Sequence, residues 1–138
     1  SNLLLVHNTC ATATDVKSIE QRLKGCVTWV LCPESNRYIS NLCPPVGMLE
    51  QMGVSIALGT DSLASARTLS MVDNMRLLDD VPLEKLLTYA TINGAKALGI
   101  EATKGSIAVG KCPGLVIIEG VDFTSMTLTN ESSSYRLI

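Results

Sequence analysis

Val54-Ser55-Ile56-Ala57-Leu58-Gly59-Thr60-Asp61-Ser62 is an apolar run that stops abruptly at a carboxylate. The same layout occurs twice upstream. Leu3 to Val6 stops at His7-Asn8-Thr9, and Val27 to Leu31 stops at Cys32-Pro33-Glu34-Ser35-Asn36. Strands buried on both faces of a parallel sheet read as continuous apolar runs, and α/β enzymes gather their chemistry at strand C-termini. Each run is followed by a helical pattern, so the fold class expected is α/β, built from three βα units. The layout brings His7, the loop of residues 33–36 and Asp61 to one end of the sheet. Three strands cannot close a barrel, so the site is expected to be incomplete.

Working outward, Thr14 reads as a helix N-cap with Asp15 in the first turn, and Val16, Ile19 and Leu23 form one apolar stripe ended by Gly25. A second helix is expected to start near Pro44-Pro45, with Val46, Leu49 and Met52 on one side and Gly53 as its stop. A third covers about residues 68–78 with Leu69, Val72 and Met75 on one face, and a fourth covers 83–98, interrupted near Asn93-Gly94. Beyond Gly99, residues 105–111 and 115–119 read as short strands joined by a tight turn. The Ser/Thr-rich stretch from Asp122 reads as a peripheral β element with a frayed or partner-dependent end.

The 138 residues are 46% hydrophobic and 17% charged, enough for one compact core, and the net charge of -2 shows no basic stripe for nucleic acid. Aromatics at 4% also disfavour base stacking. No apolar stretch reaches the roughly 18 residues of a membrane span, and no leader pattern is present. The opening Ser1-Asn2 could be the scar of a cleaved tag. The five cysteines form no C-x-x-C pair, so they read as reduced, buried and inert, in a cytoplasmic setting. The first strand lacks the glycine fingerprint that follows a dinucleotide-binding strand, which favours a barrel segment.

His7 is the sole histidine. At a strand end it reads as a general base, a water-orienting group or a metal ligand, and equally as a structural histidine. A carboxylate placed directly after an apolar strand is costly to desolvate without a cation or several donors. Asp61 therefore reads as a metal ligand or a proton acceptor, with a loop or N-cap aspartate as the alternative. Glu34, Ser35 and Asn36 offer an acceptor, a hydroxyl and an amide that suit a polar heterocycle, or simply a turn. Ser62 and Ser65 have no second histidine for a serine triad.

Leu5-Val6-His7-Asn8-Thr9, Leu31-Cys32-Pro33-Glu34-Ser35-Asn36, Ala57-Leu58-Gly59-Thr60-Asp61-Ser62, Ala90 through Gly99 and Lys104 through Lys111 occur in an order and spacing that resemble the metal-dependent amidohydrolase superfamily, in its deaminase and chlorohydrolase branch. The resemblance implies the sixth, seventh and eighth βα units of a (β/α)₈ barrel over residues 1–99. Residues 100–138 would supply strands of the family's small β-sandwich. It implies that His7 and Asp61 are catalytic, that Asp61 also binds the metal or its water, and that Glu34, Asn36 and Ser62 contact substrate. The implied cofactor is a divalent metal, zinc or iron. The implied reaction is hydrolytic removal of ammonia, or of chloride, from a small-molecule ring or nucleoside, with cyclic-amide hydrolysis as the alternative. The family's histidine-x-histidine, its fifth-strand histidine and its glutamate do not occur here and are expected upstream of Ser1. Cys112-Pro113-Gly114 stands where the family commonly has Asp-Ala. The isolated chain is therefore expected to lack hydrolase activity, to hold metal weakly and to self-associate as a homo-oligomer through exposed barrel edges.

Overall fold

The computed structural model describes residues 3–138, so the Ser1-Asn2 reading lies outside the described residues. Three short strands, β1 (Leu3–Val6), β2 (Val27–Leu31) and β3 (Ile56–Leu58), form a parallel sheet in the order β1-β2-β3. Leu5 pairs with Trp29, and Trp29 with Ile56, so the strands end level with one another. That level register delivers the residues after each strand to one rim.

β2 is the central strand of the sheet. Val27, Trp29 and Leu31 retain no more than 3% of their exposure, and β3 is buried along its whole length. The Trp29 indole N–H donates to Glu20 Oε1 at 2.8 Å and anchors α1 (Ala13–Leu23) beside it. β1 departs from the expectation of strands buried on both faces. Leu3 and Val6 are 44% and 45% exposed, because β1 is an edge strand without the helical cover that buries the other edge, β3.

The helix starts shift by a few residues from the sequence expectation, each for a local hydrogen-bonding reason. Thr12, not Thr14, caps α1. Asp15 stands three residues beyond Thr12, so its carboxylate accepts from the Thr12 N–H at 2.9 Å while its own N–H donates to Thr12 Oγ1. The expected loop after β2 is a helix, α2 (Pro33–Ser40), with Pro33 in the first-turn position where a missing N–H has no cost. α3 (Val46–Gln51) follows the two prolines. The helix expected from residue 68 begins only at Met71, as α4 (Met71–Arg76). Ser70 caps it, and Thr68 Oγ1 donates to Asp73 instead of extending the helix. Leu69 consequently lies outside the helix and is 56% exposed.

The long fourth pattern splits at Thr91 into α5 (Leu83–Ala90) and α6 (Ile92–Leu98). Asn93, expected to mark a turn, lies inside α6 and donates its side-chain N–H to the Ile56 carbonyl at 2.8 Å, holding that helix on β3. Residues 105–111 form no strand. Ile107 and Val109 stand in solvent, and the segment is made of turns with Gly105 and Gly110 at positive φ. The other expected strand is present as β4 (Val116–Asp122), paired antiparallel with β5 (Thr127–Arg136). The chain end is not frayed. Leu137 N–H donates to Leu115 O at 2.8 Å, and Leu115 N–H to Ile138 O at 3.0 Å. Val121 and Leu128 of this hairpin pack on the same core as Met75 and Leu86. Among the described residues, no helix is long and apolar enough to cross a membrane.

The cysteines differ from expectation. Cys10, Cys26, Cys43 and Cys112 are exposed, and only Cys32 is buried. All four exposed ones sit in connecting segments, where an apolar neighbourhood in sequence does not become a buried one in space. Burial, then the Asp61 charge, pushes the Cys32 thiol up to about 11, only partly offset by the Asp61 backbone N–H. Its thiolate is therefore scarce near neutrality.

Two outcomes follow from this packing. A Cβ on Gly105 would lie 2.6 Å from Ala95 Cβ and 2.9 Å from Ile92 Cα, on a residue whose φ is +82°. Gly105→Ala should lower unfolding stability by roughly 2–4 kcal/mol in urea titration, summing overpacking and left-handed backbone costs. Iodoacetamide at about pH 8 should modify Cys10, Cys26, Cys43 and Cys112 while sparing Cys32, with peptide mass mapping as the readout.

Candidate functional site

The rim where the three parallel strands end has an unusual backbone. His7, Asn8 and Asp61 have φ of 71°, 49° and 59°, left-handed values that side-chain-bearing residues seldom adopt. At the end of β1 this bend is held by His7 N–H donating to Val30 O at 3.0 Å and by Asn8 Nδ2 donating to Val6 O at 2.9 Å. At the end of β3, Gly59 N–H donates to Leu31 O at 2.9 Å. A Cβ on Gly59 would come within 3.3 Å of Cys32 Sγ and Val30 Cγ1, so a side chain there would crowd the neighbouring strand.

The bends aim His7 and Asp61 at each other across β2. His7 Nε2 lies 3.5 Å from Asp61 Oδ2, with the side chains 40% and 29% exposed. Both are open enough to meet a small molecule and are supported from behind. His7 Nδ1 is 2.9 Å from Asn36 Oδ1. Asp61 Oδ2 accepts from Ser35 Oγ at 2.6 Å and from Ser65 Oγ at 3.0 Å. The Ser35 hydroxyl foremost, then Ser65, hold the Asp61 carboxyl below the ordinary aspartate range against the opposing effect of burial, with lesser help from the charge of a protonated His7 ring and from the Ser62 backbone N–H. Asp61 is therefore anionic at neutral pH, ready to accept a proton or face a cation.

Of the residues singled out from sequence, His7, Asn36 and Asp61 come together here. Glu34 turns elsewhere. Its Oε1 accepts from Arg67 N–H at 3.0 Å and Arg67 Nε at 3.1 Å, and its own N–H donates to the buried Asn74 at 3.1 Å. Ser62 is exposed and serves the site through its backbone N–H. Ser35, read from sequence as a hydroxyl suited to a polar heterocycle or a turn, and Ser65, weighed only against a serine triad, instead both donate to Asp61. Ser35 is wholly buried and Ser65 is 8% exposed, so both act on Asp61 from within the fold. The i, i+4 spacing of Asp61 and Ser65 hints at the second contact; nothing local to Ser35 signals the first.

For a metal, the donor set is right in kind and short in number. An anionic carboxylate and an imidazole are ordinary ligands, but zinc takes roughly three to four protein ligands. Among the described residues, no group of three or more histidine, cysteine, aspartate or glutamate side chains is arranged so that it could hold a metal ion.

The chain matches the amidohydrolase family over residues 1–135. It is 41% identical to a 5'-deoxyadenosine deaminase of Methanothermobacter thermautotrophicus over 62% of this chain and 22% of that protein. It is 30% identical to a 5-methylthioadenosine/S-adenosylhomocysteine deaminase of Teredinibacter turnerae over 94% of this chain and 32% of that protein. The crystal structure of an adenosine deaminase from Xanthomonas campestris with bound zinc superposes with a TM-score of 0.74 at 32% identity, covering 85% of this chain and 28% of that one. The chain thus spans between a fifth and a third of the length of these relatives. Family-wide matching along almost every residue, on an α/β scaffold shared with solved deaminases, makes the chain a member of the amidohydrolase family.

Proposed function

We propose that this chain is the C-terminal portion of a hydrolase that acts on C–N bonds and deaminates an aminated heterocycle or nucleoside. The facing of His7 Nε2 and Asp61 Oδ2 at 3.5 Å carries the reading, since two proton-handling groups converge at one strand rim. The nucleoside deaminases among its relatives support the substrate class. In this reading residues 1–99 are the last three βα units of a (β/α)₈ barrel. Residues 100–138, which hold the separate β4-β5 sheet, belong to a composite β-sandwich.

When bound, a divalent metal (zinc or iron) lowers the pKa of water at the site. Asp61 and, less directly, His7 are the residues here that would face it, with the remaining ligands supplied by other parts of the full-length protein. Asp61 accepts a proton from the attacking water, which its anionic state allows, and later delivers it to the leaving amine. His7 orients that water or the ring nitrogen. The Ser62 region borders the same opening and contacts substrate, Asn36 stands buried behind His7, and Glu34, engaged by Arg67, shapes the wall. The exposed, unpaired cysteines support a reducing, cytoplasmic setting.

Alone, the chain is catalytically inert. Its exposed β1 edge favours association with a second copy, so light scattering should give a mass above the 14.7 kDa of one chain. In the full-length, zinc-loaded protein, ammonia release from adenosine-type nucleosides should be measurable. Asp61→Asn and His7→Ala should each lower kcat by roughly 10²–10⁴-fold, the range for a lost acid–base group. Ring-opened product in place of ammonia would instead assign a cyclic-amide hydrolase, and no turnover of either kind would overturn the hydrolase reading.

A further inference from the structure

The first turn of α2 places two consecutive polar side chains against the two flanking strands. Ser35 reaches Asp61 after β3 at 2.6 Å, and Asn36 reaches His7 after β1 at 2.9 Å. Successive residues on a helix point about 100° apart, so a helix starting directly above the central strand can serve both neighbours at once. The turn itself is fixed. Asn36 N–H donates to Cys32 O at 2.8 Å, and Glu34 N–H donates to Asn74 Oδ1 at 3.1 Å. Ser35 and Asn36 are 0% and 2% exposed, which leaves their side chains no solvent-facing alternative.

We propose that this turn is a positioning clamp in which Asn36 fixes the tautomer of His7 and Ser35 fixes the carboxylate of Asp61. Asn36 thereby acts through His7, a role different from contact with substrate. The Nδ1 to Oδ1 distance of 2.9 Å is that of an N–H donating to a carbonyl oxygen. With the hydrogen on Nδ1, the lone pair of the neutral ring sits on Nε2. The geometry on the other side agrees: Nε2 and Asp61 Oδ2 are 3.5 Å apart, whereas an N–H donating to a carboxylate would close to about 2.7–2.9 Å. Nε2 and Oδ2 are then two acceptors side by side, which a single water can satisfy with its two hydrogens. The Asn36 amide leaves Nδ2 buried without a partner, so no other contact dictates its orientation. Turned over, the same amide would donate to Nδ1 and force the hydrogen onto Nε2.

This inference rests on the proposed hydrolytic roles of His7 and Asp61, but its direct test does not need turnover. The chain has one histidine, so 15N-histidine labelling gives a single imidazole in the NMR spectrum. At a pH where the ring is neutral, the expected spectrum shows Nδ1 protonated and Nε2 bare. Asn36→Ala should shift the ring toward the Nε2–H form that predominates in a free histidine, and Asn36→Asp, which keeps an acceptor, should retain Nδ1–H. Wild-type chain showing Nε2–H, whether from the reversed amide or an unconstrained ring, overturns the clamp. So does an unchanged spectrum in Asn36→Ala. In the full-length protein, Asn36→Ala and Ser35→Ala should each reduce kcat by roughly 10–100-fold with KM little altered, as for residues that orient reacting groups. A rise in KM at constant kcat would return Asn36 to substrate contact. Absence of ammonia release from the wild type would sink the hydrolase reading while leaving the tautomer result standing.

Discussion

The pair of hydroxyl donors on Asp61 Oδ2 is the contact on which the arrangement of this rim depends. A carboxylate at the end of a buried strand is unfavourable until donors replace the water it loses. Here Ser35 arrives from the helix after β2 and Ser65 from the turn after β3, so one oxygen joins two βα units. Without them the left-handed backbone at Asp61 would have little to hold it. With them, the residue is anionic and directed toward His7, the one imidazole of the chain.

The central strand explains why such a junction can form. β2 is paired on both sides, and Trp29 is buried in the core that α1 and β3 share. The connections on either side answer to β2: His7 N–H and Gly59 N–H both reach its carbonyls. Polar residues that would be loose in a loop are thus fixed relative to one another. The β4-β5 hairpin lies outside this sheet and reaches the core mainly through Val121 and Leu128.

The three apolar runs made the parallel strands legible: continuous burial leaves its mark in the composition of β2 and β3, and β1 has the same composition at a part-exposed edge. The punctuation after them made the rim legible too: His7 and Asp61 stand out as polar residues where the runs stop. What was not legible depended on partners remote in sequence. Ser35 looks like any turn serine until Asp61 is folded onto it. Glu34 looks like a site acid until Arg67 engages it from 33 positions away. Local competition misled in other places. Thr68 resembles a helix start, yet its hydroxyl is drawn to Asp73, and the alternation in residues 105–111 found no partner strand to reward it.

The left-handed residues at His7, Asn8 and Asp61 set stability and chemistry against each other. Each carries a conformational penalty of about 1 kcal/mol or more that glycine would not incur. Selection for thermal robustness alone would therefore drift toward glycine at the very positions whose side chains meet at the opening. Histidine, asparagine and aspartate at these positions give the rim its chemistry at some expense to how firmly the chain holds together.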